Sequence, residues 1–306
     1  MRQFVDVPGP LDVGLTLARF RLWGEDPVNA LGDGVFRRAV TVDGERWGYE
    51  LTWTGGPDAT RLRVSVPGTR SARVLEAAVA EVGWVCGLGL DLEDFYRSAT
   101  RDPVVSELTR RLHGLRPTLT PGPFEMLVGS VCAQQVNLTF ACTVRGRLAR
   151  RFGVPVPVGG VTVHTFPEAA RVATATVAEL RGMQFTTRKA EYIVGLAKRV
   201  VAGDIDLDAL AHRSNDGVIE AITGLRGFGR WSAEWFLCRG LGRGDVCPAG
   251  DLGVRRAFEH FYNRRRPLTE RAIRRRAARW GAHQNLAVHY LLTGHRLDRA
   301  GAGGGT

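Results

Sequence analysis

The segment LRGFGRWSAEW (225–235) and the lone acid Asp251 are the groups in this chain whose type and spacing suit chemistry on a polyanion. Leu225 and Phe228 alternate with Gly227 and Gly229 between two helical runs, VIEAITG and RWSAEWFL. The apolar pair can plug the crevice between the helices, while the glycines give positive φ and a bare, close-approaching backbone. The first N–H groups of the second helix have no acceptor of their own and point outward at the positive end of the helix dipole. Such an end binds phosphate, with Arg230 and the Ser232 hydroxyl at hand. That is a helix-hairpin-helix, which grips a DNA backbone without reading sequence. The competing reading is an ordinary turn between helices that merely needs glycine.

Some twenty residues on, GDVCPAGDLGVRRAF (244–258) places Asp251 after a short, turn-rich stretch and just before a helix. By type and position it is a helix N-cap. The turn also lets its carboxylate project into a cleft bordered by the hairpin helix. Arg255 and Arg256 follow within one turn, where they can serve a phosphate strand.

The elements that must hold these groups fall into two textures. GVFRRAVTVDG (34–44), RWGYELTWTG (46–55), TRLRVSVPG (60–68) and LTLARFRLW (15–23) are short alternating runs separated by Gly, Asp and Pro turns, an antiparallel signature. SARVLEAAVAEVGWV (71–85) is a helix with a serine cap. From about residue 97 the pattern is wholly helical, over 102–115, 120–153, 166–183, 186–203, 215–225, 230–241, 252–262 and 269–295. Pro123 suits the first turn of the second of these, with Phe124, Leu127, Val128 and Val131 on one stripe. The expected fold is α+β: a small antiparallel sheet plus helix over 1–88, a helical domain over 89–300, and a fraying tail over 301–306.

Composition narrows the partner. The 306 residues include 42 Lys plus Arg against 31 Asp plus Glu, a net charge of +11. Ten arginines lie between Asp251 and Trp280 against three acids. A basic surface of this kind fits nucleic acid; an arginine-biased composition with solvated helix faces would look the same. The five cysteines, Cys86, Cys132, Cys142, Cys238 and Cys247, have no paired spacing, which argues against zinc or iron–sulfur sites and for reduced buried thiols. No signal sequence or membrane-spanning run is visible, so a cytoplasmic, nucleoid-associated monomer is expected.

LRGFGRWSAEWF followed by GDVCPAGDLGVRRAF resembles the HhH-GPD superfamily of base-excision DNA glycosylases, named for a helix-hairpin-helix, a Gly/Pro-rich stretch and an aspartate. Upstream, PFEMLVGSVCAQQVN and FPEAARVATATVAELRGMQFTTRKAEYIVGLAKRVVAGDIDL are similar to the helices that precede the hairpin, and the β-rich N-terminus to that of the 3-methyladenine glycosylase II and 8-oxoguanine branches. The resemblance implies double-stranded DNA as partner, a nucleotide flipped from the duplex, and hydrolysis of its N-glycosidic bond with Asp251 as the catalytic carboxylate. Trp231 falls where lyase branches carry a nucleophilic lysine, which implies a monofunctional enzyme that leaves an abasic site. Trp231 and Trp235 share a helix face and would stack on an electron-poor alkylated base. Gln135, with Gln134 beside it, falls where the family fills the vacated stack. Leu292, with Tyr290 nearby, stands where members often place an aromatic, so oxidised or deaminated purines stay open as substrates. No cofactor is implied beyond a monovalent cation, Na+ or K+, at the carbonyls of Leu225 and Phe228. A non-catalytic DNA-binding protein, with Asp251 only a cap, is the alternative outside the enzyme class.

Overall fold

A computed structural model describes residues 1–263 and 266–303. The chain opens with β1 (Arg2–Val5), then two short helices, α1 (Val13–Leu17) and α2 (Arg19–Leu22). These replace the strand expected over 15–23. The Asp12 carboxylate caps α1 by accepting from Leu15 N at 2.8 Å, and Val13, Thr16 and Leu17 are buried at helical spacing.

β2 (Ala30–Gly32), β3 (Val35–Val42), β4 (Glu45–Thr54) and β5 (Arg61–Ser65) join β1 in an antiparallel sheet of order β1-β5-β4-β3-β2. Phe36 pairs with Leu51 and Leu51 with Val64, so one face is apolar. It packs on α3 (Ala72–Val85) around Leu62, Ala78 and Val82. Ser71 precedes α3, but its side chain makes no capping bond.

The remainder is helical with one exception. The helices are α4 (Leu92–Ala99), α5 (Pro103–Arg111), α6 (Pro123–Ala133), α7 (Leu138–Phe152), α8 (Ala169–Ala173), α9 (Val177–Gly182), α10 (Thr187–Val201), α11 (Asn215–Thr223), α12 (Arg230–Trp235), α13 (Leu252–Tyr262), α14 (Glu270–Ala277) and α15 (Gln284–Gly303). Three long runs expected as single helices are each divided. Asn137 caps α7 through Phe140 N, splitting 120–153. A capping box of Thr176 and Glu179 restarts the chain within 166–183. A 3₁₀ turn broken at Gly281 separates α14 from α15. α15 extends through Gly303, so the first half of the expected tail is helix, and 304–306 lie outside the described residues.

The exception is a hairpin, β6 (Pro155–Val158) and β7 (Val161–His164), within the stretch expected to be all helix. It lies against the N-terminal sheet through Val156, Val158, Val163 and Ala39. A Cβ on Gly48 of β4 would stand 2.6 Å from Val158 Cβ, so glycine there admits the hairpin.

The helical part holds two cores. One is built from α6 to α12, around Leu127, Ile193, Val218 and Phe236. The other joins α4 and α5 to α13, α14 and α15, around Phe95, Val254, Phe258 and Ile273. Trp235 packs on both. A buried charge network fastens the sheet domain to the first core: Arg38 donates to Glu125 (2.6 Å) and Glu81 (2.8 Å), and Arg145 to Asp26 (2.8 Å) and to Glu125.

Candidate active site and hairpin

The hairpin forms because α11 and α12 share the first core and the connection between them is plugged from within. Leu225 and Phe228 are both buried there. Gly227 has φ +94°, and a Cβ on it would lie 2.2 Å from the Tyr192 ring, so only glycine fits. Gly229 differs from expectation. Its φ is −114°, in the extended range, and it caps α12 with open space where a Cβ would stand. Gly227 alone needs the left-handed region; Gly229 leaves the approach to the helix end bare.

Asp251 sits on the seam between the two helical cores, as the N-cap of α13. Oδ1 accepts from Val254 N at 2.9 Å, the capping bond. Oδ2 accepts from both indoles, Trp231 Nε1 at 2.7 Å and Trp235 Nε1 at 3.2 Å. Cap and site are therefore the same carboxylate, with one oxygen serving the helix and the other facing the hairpin helix. Trp231 and Trp235, four apart, converge on it edge-on, so each ring presents its faces sideways. Asp251 and both tryptophans are half-buried.

Leu292 joins this group: a Cβ on Gly253 would touch Asp251 Oδ1 at 3.0 Å and Leu292 Cδ2 at 3.4 Å. Tyr290 does not. It is fully buried in the second core, its hydroxyl donating to the Leu115 carbonyl and bonded to Tyr96, and burial pushes its phenol far above the ordinary value. Two residues along a helix turn the side chain by about 200°, which carries it away from the site.

Two further expectations change. Ser232 is 1% exposed on the inward face of α12, so its hydroxyl is closed to a phosphate. Gln134 Nε2 donates to the Gly227 carbonyl at 2.9 Å, which makes it a brace for the hairpin and not a gap-filler. Gln135 is the exposed one, at φ +55° on the tip between α6 and α7, with Val136 and Leu138 also exposed. Arg230, Arg255 and Arg256 are exposed, with Arg230 Nε 2.8 Å from Glu234.

Sequence reasoning missed the supports. Glu234, 2% exposed, receives Arg230 and Arg274 (2.7 Å), tying the hairpin helix to α14. Arg239, nearly buried in the π-helical turn Phe236–Gly240, lies over the Trp235 ring at 5.3 Å and donates to Asn285 Oδ1 at 2.6 Å and to His289 Nδ1. Burial pushes Arg239 down to about 10. Packing and the Arg239 charge push His289 well below its ordinary value, so the ring accepts as the neutral form. The one signal for either support was an acid or a base on an otherwise apolar helix.

Among the described residues no group of three or more His, Cys, Asp or Glu is placed to hold a metal ion, and no helix is long and apolar enough to cross a membrane. The Leu225 carbonyl accepts from Phe228 N at 3.1 Å.

Residues 128–283 match the model of the HhH-GPD superfamily base excision DNA repair protein. The chain is 30% identical to a DNA-3-methyladenine glycosylase of Bacillus subtilis (strain 168) over 201 residues, 66% of each chain, so it spans just under two thirds of that relative. It is 25% identical to DNA-3-methyladenine glycosylase 2 of Escherichia coli (strain K12), over 86% of this chain and 87% of the other. The solved structure of a 3-methyladenine DNA-glycosylase from Archaeoglobus fulgidus superposes with TM-score 0.85 at 27% identity, covering 96% of this chain and 98% of that one.

Proposed function

The chain belongs to the HhH-GPD superfamily of base excision DNA repair proteins, and on that premise we propose that it is a monofunctional DNA glycosylase. Its substrate is a damaged base, alkylated purines first, flipped from double-stranded DNA. The observation that carries this reading is the Asp251 carboxylate receiving both indole N–H groups at the edge of the hairpin helix. As the C1′–N bond breaks, positive charge grows on the deoxyribose. The anionic Oδ2, fixed by its donors, meets that charge with little reorganisation. The base departs with the electron pair of the C1′–N bond, as a neutral molecule if alkylation had made it cationic and otherwise taking up a proton from solvent, while water adds its hydroxyl to C1′ and gives its proton to solvent.

The other groups take supporting parts. The hairpin backbone at Gly227 and Gly229, with Arg230, Arg255 and Arg256, holds phosphates. Gln135 enters the vacated stack, a use that fits a non-glycine residue kept at positive φ on an exposed tip. The carbonyls of Leu225 and Phe228 would hold a monovalent cation between hairpin and phosphate; Leu225 keeps one lone pair free of its turn bond. Trp231 stands in the nucleophile position and has no amine, so no Schiff base forms.

A second reading of the lesion rests on two observations. Leu292 puts an aliphatic side chain beside Asp251 where the family resemblance implies an aromatic, and the Arg239 guanidinium already occupies one face of Trp235. Both favour a neutral oxidised or deaminated purine over a cationic alkylated one. Duplexes carrying 3-methyladenine, hypoxanthine or 8-oxoguanine, followed by alkaline cleavage of abasic sites, separate the two. Breaks that vanish in Asp251→Asn with DNA binding kept support catalysis. Binding with no breaks on any lesion leaves a DNA clamp only, and a borohydride-trapped adduct refutes monofunctional action.

A further inference from the structure

We propose that the outer face of α14 is a second DNA-backbone contact, separate from the hairpin and engaging phosphates that flank the lesion. The proposal rests on the glycosylase reading. α14 has four differently committed sides. Ile273 and Ala277 are buried in the second core. Arg276 lies over Tyr262 at 4.0 Å and near Asp102. Arg274 bonds Glu234 of the hairpin helix at 2.7 Å and reaches the Cys247 carbonyl of the loop that carries Asp251 at 3.4 Å. Opposite the core, Arg271 and Arg275 are exposed one turn apart, and Arg279 follows, exposed, in the 3₁₀ turn. None of these three is ion-paired among the described residues, whereas Arg274 and Arg276 are.

Like charges on adjacent turns repel modestly, pair by pair, a cost that an anion laid along the row removes. The rise from Arg271 to Arg279 is about 12 Å, and one DNA strand presents a phosphate per roughly 3.4 Å of axis. The row thus spans several phosphates of one strand. Its placement is rigid: Arg274 anchors the same helix to α12, and a Cβ on Gly250, beside Asp251, would stand 3.5 Å from Glu270 Oε2. The helix that carries the stripe is thereby tied both to the hairpin helix and to the loop that carries Asp251. Duplex DNA is the occupant because the helix that carries the row is bonded through Arg274 to the loop of the carboxylate, and the row carries the opposite charge to a phosphate strand.

The test compares the wild type with R271Q/R275Q/R279Q and with a sheet variant of equal charge loss, R61Q and R63Q on β5 and R70Q in the loop before α3, all exposed sites. Affinity for a 25-base-pair duplex is measured from low to high NaCl. If each arginine neutralises one phosphate, the α14 variant loses about 0.9 of log–log salt slope per contact, about 2.7 in all. The sheet variant keeps the wild-type slope. The sheet variant also keeps wild-type single-turnover excision, since its residues lie outside the elements assigned to DNA. An unaltered slope in the α14 variant, or an equal loss in both variants, overturns the proposal. Failure of the wild type to bind or excise would instead overturn the glycosylase reading beneath it.

Discussion

At the scale of single residues, the carboxylate at 251 does two jobs with two oxygens. Removing its charge in Asp251→Asn keeps the capping acceptor and takes away the anion that the proposed mechanism sets against the sugar. Single-turnover excision should fall on the order of 10²-fold or more while duplex affinity is retained, as measured by alkaline cleavage and a binding titration. Gly253→Ala tests the geometry without touching charge. The added Cβ would meet Asp251 Oδ1 at 3.0 Å and Leu292 at 3.4 Å, so excision should drop with melting temperature little changed. Motif order singles out the acid, the two tryptophans and Gln135, and the structure brings the acid and both tryptophans together and leaves Gln135 exposed. Tyr290 and Ser232 were not placed correctly, since both depend on which side of a helix meets the core. Nothing in one sequence separates Tyr290, spent on the Leu115 carbonyl, from Leu292 beside Asp251.

At the scale of elements, the hairpin depends on two glycines for different reasons. Gly227→Ala forces a side chain into the left-handed region and onto the Tyr192 ring, so the protein should lose stability, read as a lower denaturation midpoint. Gly229→Ala meets nothing in the free protein and should leave that midpoint in place. On the proposed phosphate role of this helix end, it should weaken DNA binding alike for all sequences. Gln134→Ala removes the brace on the Gly227 carbonyl and should weaken binding in the same sequence-blind way, by freeing the turn. The helices themselves were legible from apolar period. Their interruptions were not, although Asn137 and the Thr176–Glu179 box are cap signals set inside continuous apolar patterns. Two short helices near residue 15 passed for a strand because four or five residues are too few for the two periods to differ.

For the whole molecule, the network joining Arg38, Glu125, Arg145 and Asp26 sets how the sheet domain meets the helices. Burial opposes ionisation of Asp26, but Arg145, the Asn29 amide and Val28 N–H outweigh it and hold the carboxyl below the ordinary range. A lowered folded value means that its stabilisation is present above the unfolded value, near ~4, and lost as pH falls through the folded one. Asp26→Asn should cost about 3 kcal/mol at pH 7 in urea denaturation, and the gap from wild type should close below about pH 4. By itself the sequence determined the class of fold, the net basic charge and the glycine turn between α11 and α12, because glycine, charge and apolar period act locally. Only the tertiary structure decided that both indoles meet one carboxylate oxygen, that Gln134 braces the turn, and that a β-hairpin reaches the N-terminal sheet. Those contacts join residues far apart in the chain, and their directions follow from how helices rotate when two cores pack side by side.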